Sequence, residues 1–164
     1  MGLTQKRLKE LLHYDPETGL FTWLKRVANC VKIGEIAGGK TNRGYIRLRV
    51  DGKKYLANRL AFLYMTGKWP TNEVDHENTI RDDNSWKNLR DATRSQNCQN
   101  KKKARSDSKT SSLGVSFHKA NKKFTARIQE PNGERIYLGS YLTLEEAAAA
   151  YLVAKRELHP FGTI

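Results

Sequence analysis

Between Lys101 and Ser112 the chain reads Lys-Lys-Lys-Ala-Arg-Ser-Asp-Ser-Lys-Thr-Ser-Ser, five basic residues against one acid, with nothing apolar larger than Ala104. A run of this kind has no face to bury, so a single hydrophobic core is not expected to continue through it. It divides the 164 residues into a stretch of about 100 and another of about 50, each of which has to build its own core. The expected organisation is a domain over residues 1–100, a basic linker over 101–112 and a second domain over 113–164. Hydrophobic residues make up 38% of the chain, including three Trp, seven Tyr and five Phe, which supplies both cores and excludes a disordered chain.

Charge narrows the class of partner. Thirty Lys and Arg against 17 Asp and Glu leave a net charge of +13, and so basic a chain calls for a densely negative partner. Nucleic acid is favoured over a membrane, because no stretch approaches the roughly 18 apolar residues a spanning helix needs and no basic amphipathic helix stands out. Cys30 and Cys98 are the only cysteines and lie far apart, so neither a disulfide framework nor a zinc cage is legible. With no apolar signal core near Met1, an intracellular, unsecreted protein is expected.

In the first stretch, Thr4 to His13 has the spacing of a short helix capped by Thr4, with Leu8, Leu11 and Leu12 on one face. Tyr14 to Gly19 is turn chemistry leading into an extended Leu20–Trp23. Tyr45 to Val50 alternates, with Ile46, Leu48 and Val50 on one side and Arg47 and Arg49 on the other. Asp51-Gly52 makes a two-residue hairpin turn before Lys53 to Ala57 returns. The basic side of this hairpin is a candidate phosphate contact. Asn58 to Thr66 is helical in spacing, and Gly67 with Pro70 ends it.

The polar stretch Val74 to Asn97 carries the chemistry. It predicts a short strand ending in Asp75-His76, a long loop, a strand over Leu89–Ala92 and a helix opening at Thr93, where Thr93 and Gln96 have capping-box spacing. A hairpin folded against that helix can bring Asp75, His76, Asn88 and Asn97 to one point. Phosphodiester hydrolysis needs a base for water, a cation on the phosphate and a group that orients the base. An oxygen-only set of Asp75 and the Asn97 amide suits a hard ion such as Mg2+, with Mn2+ as a substitute. Taken singly, Asn78, Asp82, Asp83 and Asn84 read as turn-formers, with Asn84 as a candidate supporting residue. His13 and His159 have no comparable partners and read as bland surface residues.

Asp75-His76, Asp83-Asn84, Asn88-Leu89 and Asn97, preceded by Arg59-Leu60-Ala61-Phe62 and Trp69-Pro70, resemble the His-Asn-His (HNH) nuclease motif of phage and intron-encoded homing endonucleases over roughly residues 45–100. That resemblance implies a ββα-metal site at about 72–100, with His76 as general base, Asp75 and Asn97 as metal ligands and Asn88 orienting the His76 ring. It further implies cleavage of double-stranded DNA to 5′-phosphate and 3′-hydroxyl ends, within a bacterial cytoplasm if the protein is phage-encoded. Two positions depart from the pattern. Asn58 stands where many relatives have His, which leaves open whether it contacts DNA or packs, and Asn97 replaces a second His, which favours magnesium over zinc. Arg59, in the lead-in, joins the candidate DNA contacts.

After the linker, three short extended runs (114–119, 123–129 and 135–139) are followed by a convincing helix over Leu144–Leu158, capped by Thr143 with Glu146 three residues on. Gly114-Val115, Phe124 to Ile128, Tyr137-Leu138-Gly139 and Glu145 to Tyr151 resemble an AP2 domain, a module whose three-stranded sheet reads the DNA major groove. Alternation places Val115, Phe117, Phe124, Ala126, Ile128, Ile136 and Leu138 toward the helix. It leaves Ser116, His118, Arg127, Gln129, Arg135 and Tyr137 outside as candidate DNA contacts. Only Arg127 and Arg135 on that face are fork-shaped cations, so weak sequence discrimination is expected. Lys101, Lys102, Lys103 and Arg105 of the linker are further candidate phosphate contacts.

The fold class expected is thus α+β, a ββα-metal nuclease domain followed by an AP2-like antiparallel sheet packed on one helix. The function expected is a metal-dependent DNA endonuclease, monomeric, with no protein partner called for. The basic charge is equally compatible with a DNA-binding regulator that has lost cleavage, or with an RNA-binding protein.

Overall fold

The computed structural model describes residues 2–104 and 106–162. It is a mixed α/β structure of small antiparallel sheets and, among the described residues, four α-helices. The chain forms two compact units, Met1–Ala92 and Thr93–Ile164.

In the first unit, helix α1 (Gln5–Leu11) starts at Thr4, whose hydroxyl accepts from the Arg7 N–H. The chain turns extended at Leu12, earlier than the helical spacing suggests, because Leu12 to Tyr14 (β1) pairs with Phe21 to Trp23 (β2). Strands β3 (Gly39–Lys40), β4 (Ile46–Val50) and β5 (Lys53–Leu56) form a sheet in that order. The β4–β5 turn has positive φ at both Asp51 (46°) and Gly52 (78°), the twist that a tight two-residue hairpin requires. Helix α2 (Ala57–Thr66) ends at Gly67, which is left-handed. Strands β6 (Glu73–His76) and β7 (Leu89–Ala92) then pair antiparallel, setting Asp75 opposite Arg90 and His76 opposite Leu89.

One apolar cluster unites these elements, with Leu8, Leu11 and Leu12 packed among Tyr14, Phe21, Leu48, Leu60 and Val74. Each large side chain removed from water contributes about 1.5–3 kcal/mol, so this cluster is what fixes β6, and with it the Asp75-His76 pair.

The second unit opens with helix α3 (Arg94–Gln99), where the expected capping box between Thr93 and Gln96 is present. Strands β8 (Val115–His118), β9 (Lys123–Gln129) and β10 (Arg135–Tyr141) form a sheet in the order β10-β9-β8, on which α4 (Leu144–Leu158) packs through Ala147, Tyr151 and Ala154. The Thr143–Glu146 capping box is also formed. At Gly114 (φ 66°) the Tyr151 ring lies where a Cβ would stand, so no larger residue fits beneath α4.

The sequence places the break between domains in residues 101–112, whereas the compact units part at Ala92/Thr93. Helix α3 belongs to the second unit, and Lys155 of α4 donates to the carbonyl of Lys101 directly after it. Among its described residues the basic segment contains no helix or strand, as its composition implies, but it is tied to its own unit at Lys101 and again at Thr110. Thr110 is buried there and donates to the Val115 carbonyl at 2.9 Å.

Candidate functional site

Asp75 and His76 end β6, and both are buried. Cross-strand register sets Arg90 beside Asp75, and its Nε and an η nitrogen reach Oδ2 at 2.9 and 2.8 Å. Arg90 had no role in the sequence reading; its signal was only its place after Asn88-Leu89, opposite Asp75 once the hairpin register is drawn.

The imidazole of His76 meets Asn84, with Nε2 3.3 Å from Oδ1, and lies against the Tyr45 ring at 5.9 Å between centroids. Arg81 covers Tyr45 and is anchored by donating to the Arg43 carbonyl. Burial holds the His76 pKa below the ordinary imidazole value, opposed by the Asn84 hydrogen bond and the charges of Asp75 and Asp83. The lowering favours the neutral ring, the state a proton acceptor needs.

Asn88 does not orient this ring. Its Oδ1 accepts from the Asn78 N–H at 2.9 Å and its Nδ2 donates to the Asp83 carbonyl at 2.7 Å, so both ends of the amide are spent closing the 77–88 loop. The partner of Nε2 is Asn84, which corrects the orienting role expected of Asn88. Asn78 and Asp83 behave as turn-formers: Asn78 accepts from the Ile80 N–H, and Asp83 accepts from the backbone and hydroxyl of Ser85. These donors hold the Asp83 carboxyl below the usual carboxylate range.

This arrangement of a buried imidazole and a carboxylate at one strand end lies within a matched stretch. Residues 55–99 match the HNH endonuclease family. The HNH segment covers about a quarter of the chain and includes Asp75, His76, Asn84, Asn88, Arg90 and Asn97. It supports a nuclease with DNA as substrate. No curated protein matches the chain. Within the HNH segment, Asn97 sits half-buried on α3, in the second unit.

Of the other candidate contacts in the first unit, Arg47 and Arg49 are exposed on β4. Arg49 stands directly opposite Lys54 on β5, a like-charge pairing that an anionic ligand would relieve. Arg59 is half-buried, and its guanidinium donates to the carbonyls of Asn72 and Pro70, tying down the loop before β6. Asn58 packs: it is buried, accepts from the Arg59 N–H and donates to the Val74 carbonyl.

In the second unit, Ser116, His118, Arg127, Gln129, Arg135 and Tyr137 are all exposed. Register brings Arg127 opposite Tyr137 and Gln129 opposite Arg135, so these four form two adjoining rows. A β-bulge between Tyr137 and Gly139 carries β10 on to Tyr141 and adds Ser140 opposite Thr125, positions missed because the glycine reads as a strand end. Phe117, expected under the helix, is exposed and leans on Phe124, with ring centroids 4.9 Å apart. His159, expected to be a bland surface residue, is buried with Nε2 2.6 Å from the Gln129 carbonyl. Lys101, Lys102 and Lys103 are exposed, and Arg105 lies outside the described residues. No helix among the described residues is long and apolar enough to cross a membrane.

Proposed function

We propose that this protein is a metal-dependent endonuclease that hydrolyses phosphodiester bonds in double-stranded DNA, in the manner of homing endonucleases. The observation that carries the reading is the buried His76 imidazole, hydrogen-bonded at Nε2 to Asn84, beside Asp75 within the HNH segment.

The donor chemistry bears on the metal. Among the described residues no three His, Cys, Asp or Glu side chains gather as a metal-holding group. A cation here would rely on one carboxylate with amide, water and phosphate oxygens, which fits magnesium or manganese and not a zinc cage. Asp75 would hold it, with Asn97 kept as a second ligand on the strength of the resemblance alone. When bound, the ion supplies positive charge to the scissile phosphate and the leaving oxygen. His76 accepts the proton of the attacking water, Arg90 orients the Asp75 carboxylate, and Asn88 holds the loop closed around the ring. By analogy with the family, the products carry 5′-phosphate and 3′-hydroxyl ends.

Binding is assigned to the basic surfaces: Arg47 and Arg49 on the first unit, and on the second the AP2-like sheet face with Lys101–Lys103. Phosphate contacts of this kind position a protein without reading sequence, while Arg127 and Gln129 have the groups to address base edges.

Supercoiled plasmid incubated with the protein should be nicked or linearised in magnesium or manganese and left intact in EDTA. A plasmid untouched under every divalent ion, yet retained in a gel shift, would instead establish a DNA-binding regulator. Preference for structured RNA over duplex DNA would favour the RNA-binding reading.

A further inference from the structure

The second unit contains a cleft of about 490 Å³ that the proposed chemistry does not use. Its volume falls within the range of small-molecule sites, about 300–1,000 Å³. Helix α3 lines it with Arg94, Ser95, Cys98 and Gln99, and β9 and α4 contribute Arg127, Tyr151 and, at the end of α4, His159.

Two polar atoms of this lining, Gln99 Oε1 and His159 Nδ1, are buried with no hydrogen-bond partner. Their side chains belong to residues only 5% and 7% exposed. Folded chains seldom leave such atoms unpaired, and among the described residues both instances fall in this one cleft. The two residues are neighbours: the Gln99 and His159 carbonyls lie 3.4 and 3.1 Å from the point where a Cβ on Gly162 would stand.

Both unpaired atoms are acceptors. His159 Nε2 is 2.6 Å from the Gln129 carbonyl, and a carbonyl only accepts, so Nε2 carries a proton and the neutral ring has its lone pair on Nδ1. An amide oxygen such as Gln99 Oε1 also only accepts. The buried part of the cleft therefore calls for a ligand with N–H donors.

The exposed part calls for an anion. Arg94, Lys101 and Arg127 are exposed lining residues, set against one acid, Glu130. Among the described residues, none of these three cationic side chains has a hydrogen bond or ion pair. Leu113 and the Tyr151 ring, which lies where a Cβ on Gly114 would stand, add an apolar wall. A flat body with N–H groups at one end and a phosphate at the other suits this lining, and a nucleotide has that form.

We propose that this cleft takes one unpaired nucleotide, its base held by Gln99 Oε1 and His159 Nδ1 and its phosphate by Arg94 and Lys101. Two acceptors favour a base with an amino group, such as adenine, over thymine, which offers a single N–H. The nucleotide comes from a DNA strand or from a free nucleoside phosphate, and only the strand source rests on the nuclease reading above.

Calorimetric titration of the full chain with deoxyadenosine monophosphate (dAMP) and thymidine monophosphate tests the site. The adenine nucleotide should bind about 10-fold more tightly, the scale of one further hydrogen bond. Gln99→Met should remove that preference, and Arg94→Ala should weaken dAMP more than deoxyadenosine. Should Gln99→Met fail to fold, Ser95→Trp, at an exposed lining position, sets an indole across the cleft and should abolish dAMP binding. The source is read by comparing a fully paired duplex with one carrying a single unpaired adenine. Tighter binding of the second, removed by added dAMP, assigns the strand nucleotide, whereas equal binding of both duplexes with dAMP still bound assigns the free one.

A chain that binds neither dAMP nor the unpaired adenine preferentially, or a folded Gln99→Met with the wild-type preference, would overturn the proposal and leave the nuclease reading untouched. Conversely, selective dAMP binding by a protein that leaves plasmid intact under every divalent ion would uphold the cleft and sink the nuclease reading.

Discussion

Arg90 holds the buried carboxylate of Asp75 through two nitrogens on a single oxygen, Oδ2, from the directly opposing position of the β6–β7 hairpin. The pair is one of structure and site together, because the carboxylate it steadies is the one proposed to bind metal. Removing one member of a pair this enclosed leaves the other poorly compensated. Arg90→Met should therefore cost about 2–4 kcal/mol, read as a lower urea midpoint at unchanged slope. An unchanged midpoint would mean that Asp75 is held by its other neighbours.

The closed loop over residues 77–88 depends on Asn88. Asn88→Ala deletes one donated and one accepted hydrogen bond, a loss of about 2 kcal/mol at roughly 1 kcal/mol each. Hydrogen exchange should quicken at the Asn78 amide, which gives its proton to Asn88 Oδ1, and spread to Glu77, whose N–H donates to the Asn88 carbonyl. Protection at both amides equal to wild type would remove Asn88 from its role as the loop's lock.

Much of this architecture is legible in the residues. The caps at Thr4, Thr93 and Thr143 and the Asp51-Gly52 turn rest on interactions within a few positions, and each forms as its pattern predicts. The pairing of His76 with Asn84 instead of Asn88 was not legible. Both amides lie in the same loop, and the choice between them is made some seventy positions away in sequence, by Tyr14, whose hydroxyl donates to the Asn84 carbonyl, and by Gly19, which backs onto the Asn84–Ser85 peptide. Leu12 to Tyr14 was hidden for a related reason: leucines at helical spacing continue α1 on paper, while pairing with Phe21 to Trp23 draws the chain into a strand. The basic segment after α3 reads as a tether by composition, yet Thr110 anchors it, and a lone threonine gives no sign of that.

Burial of His76 predicts a pH dependence of stability in the metal-free protein. The folded ring titrates below the ordinary value of about 6.5 and the unfolded ring near it, so the unfolded chain takes up the proton first as pH falls. This contribution to stability is whole above about pH 6.5 and is lost as pH drops from there through the folded value. Urea unfolding in EDTA should show it, and His76→Gln should flatten that part of the profile. A His76→Gln profile parallel to wild type across this window would contradict it.

The outer rows of the second unit's sheet should govern DNA affinity and not cleavage at saturation. Arg127→Ala and Arg135→Ala should each weaken binding and reduce the slope of log affinity against log salt by about one. Single-turnover rates at saturating DNA should stay near wild type. Affinities and salt slopes equal to wild type in both variants would move DNA binding to another face.

The proposed chemistry requires that His76 take the proton from the attacking water. Single-turnover cleavage of duplex DNA in magnesium, measured for wild type and His76→Ala at concentrations where both are shown to be bound, tests it most directly. Cleavage is expected to fall by at least about 100-fold in His76→Ala, within the range general-base catalysis contributes, with affinity preserved. A folded His76→Ala that cuts at the wild-type rate would contradict it.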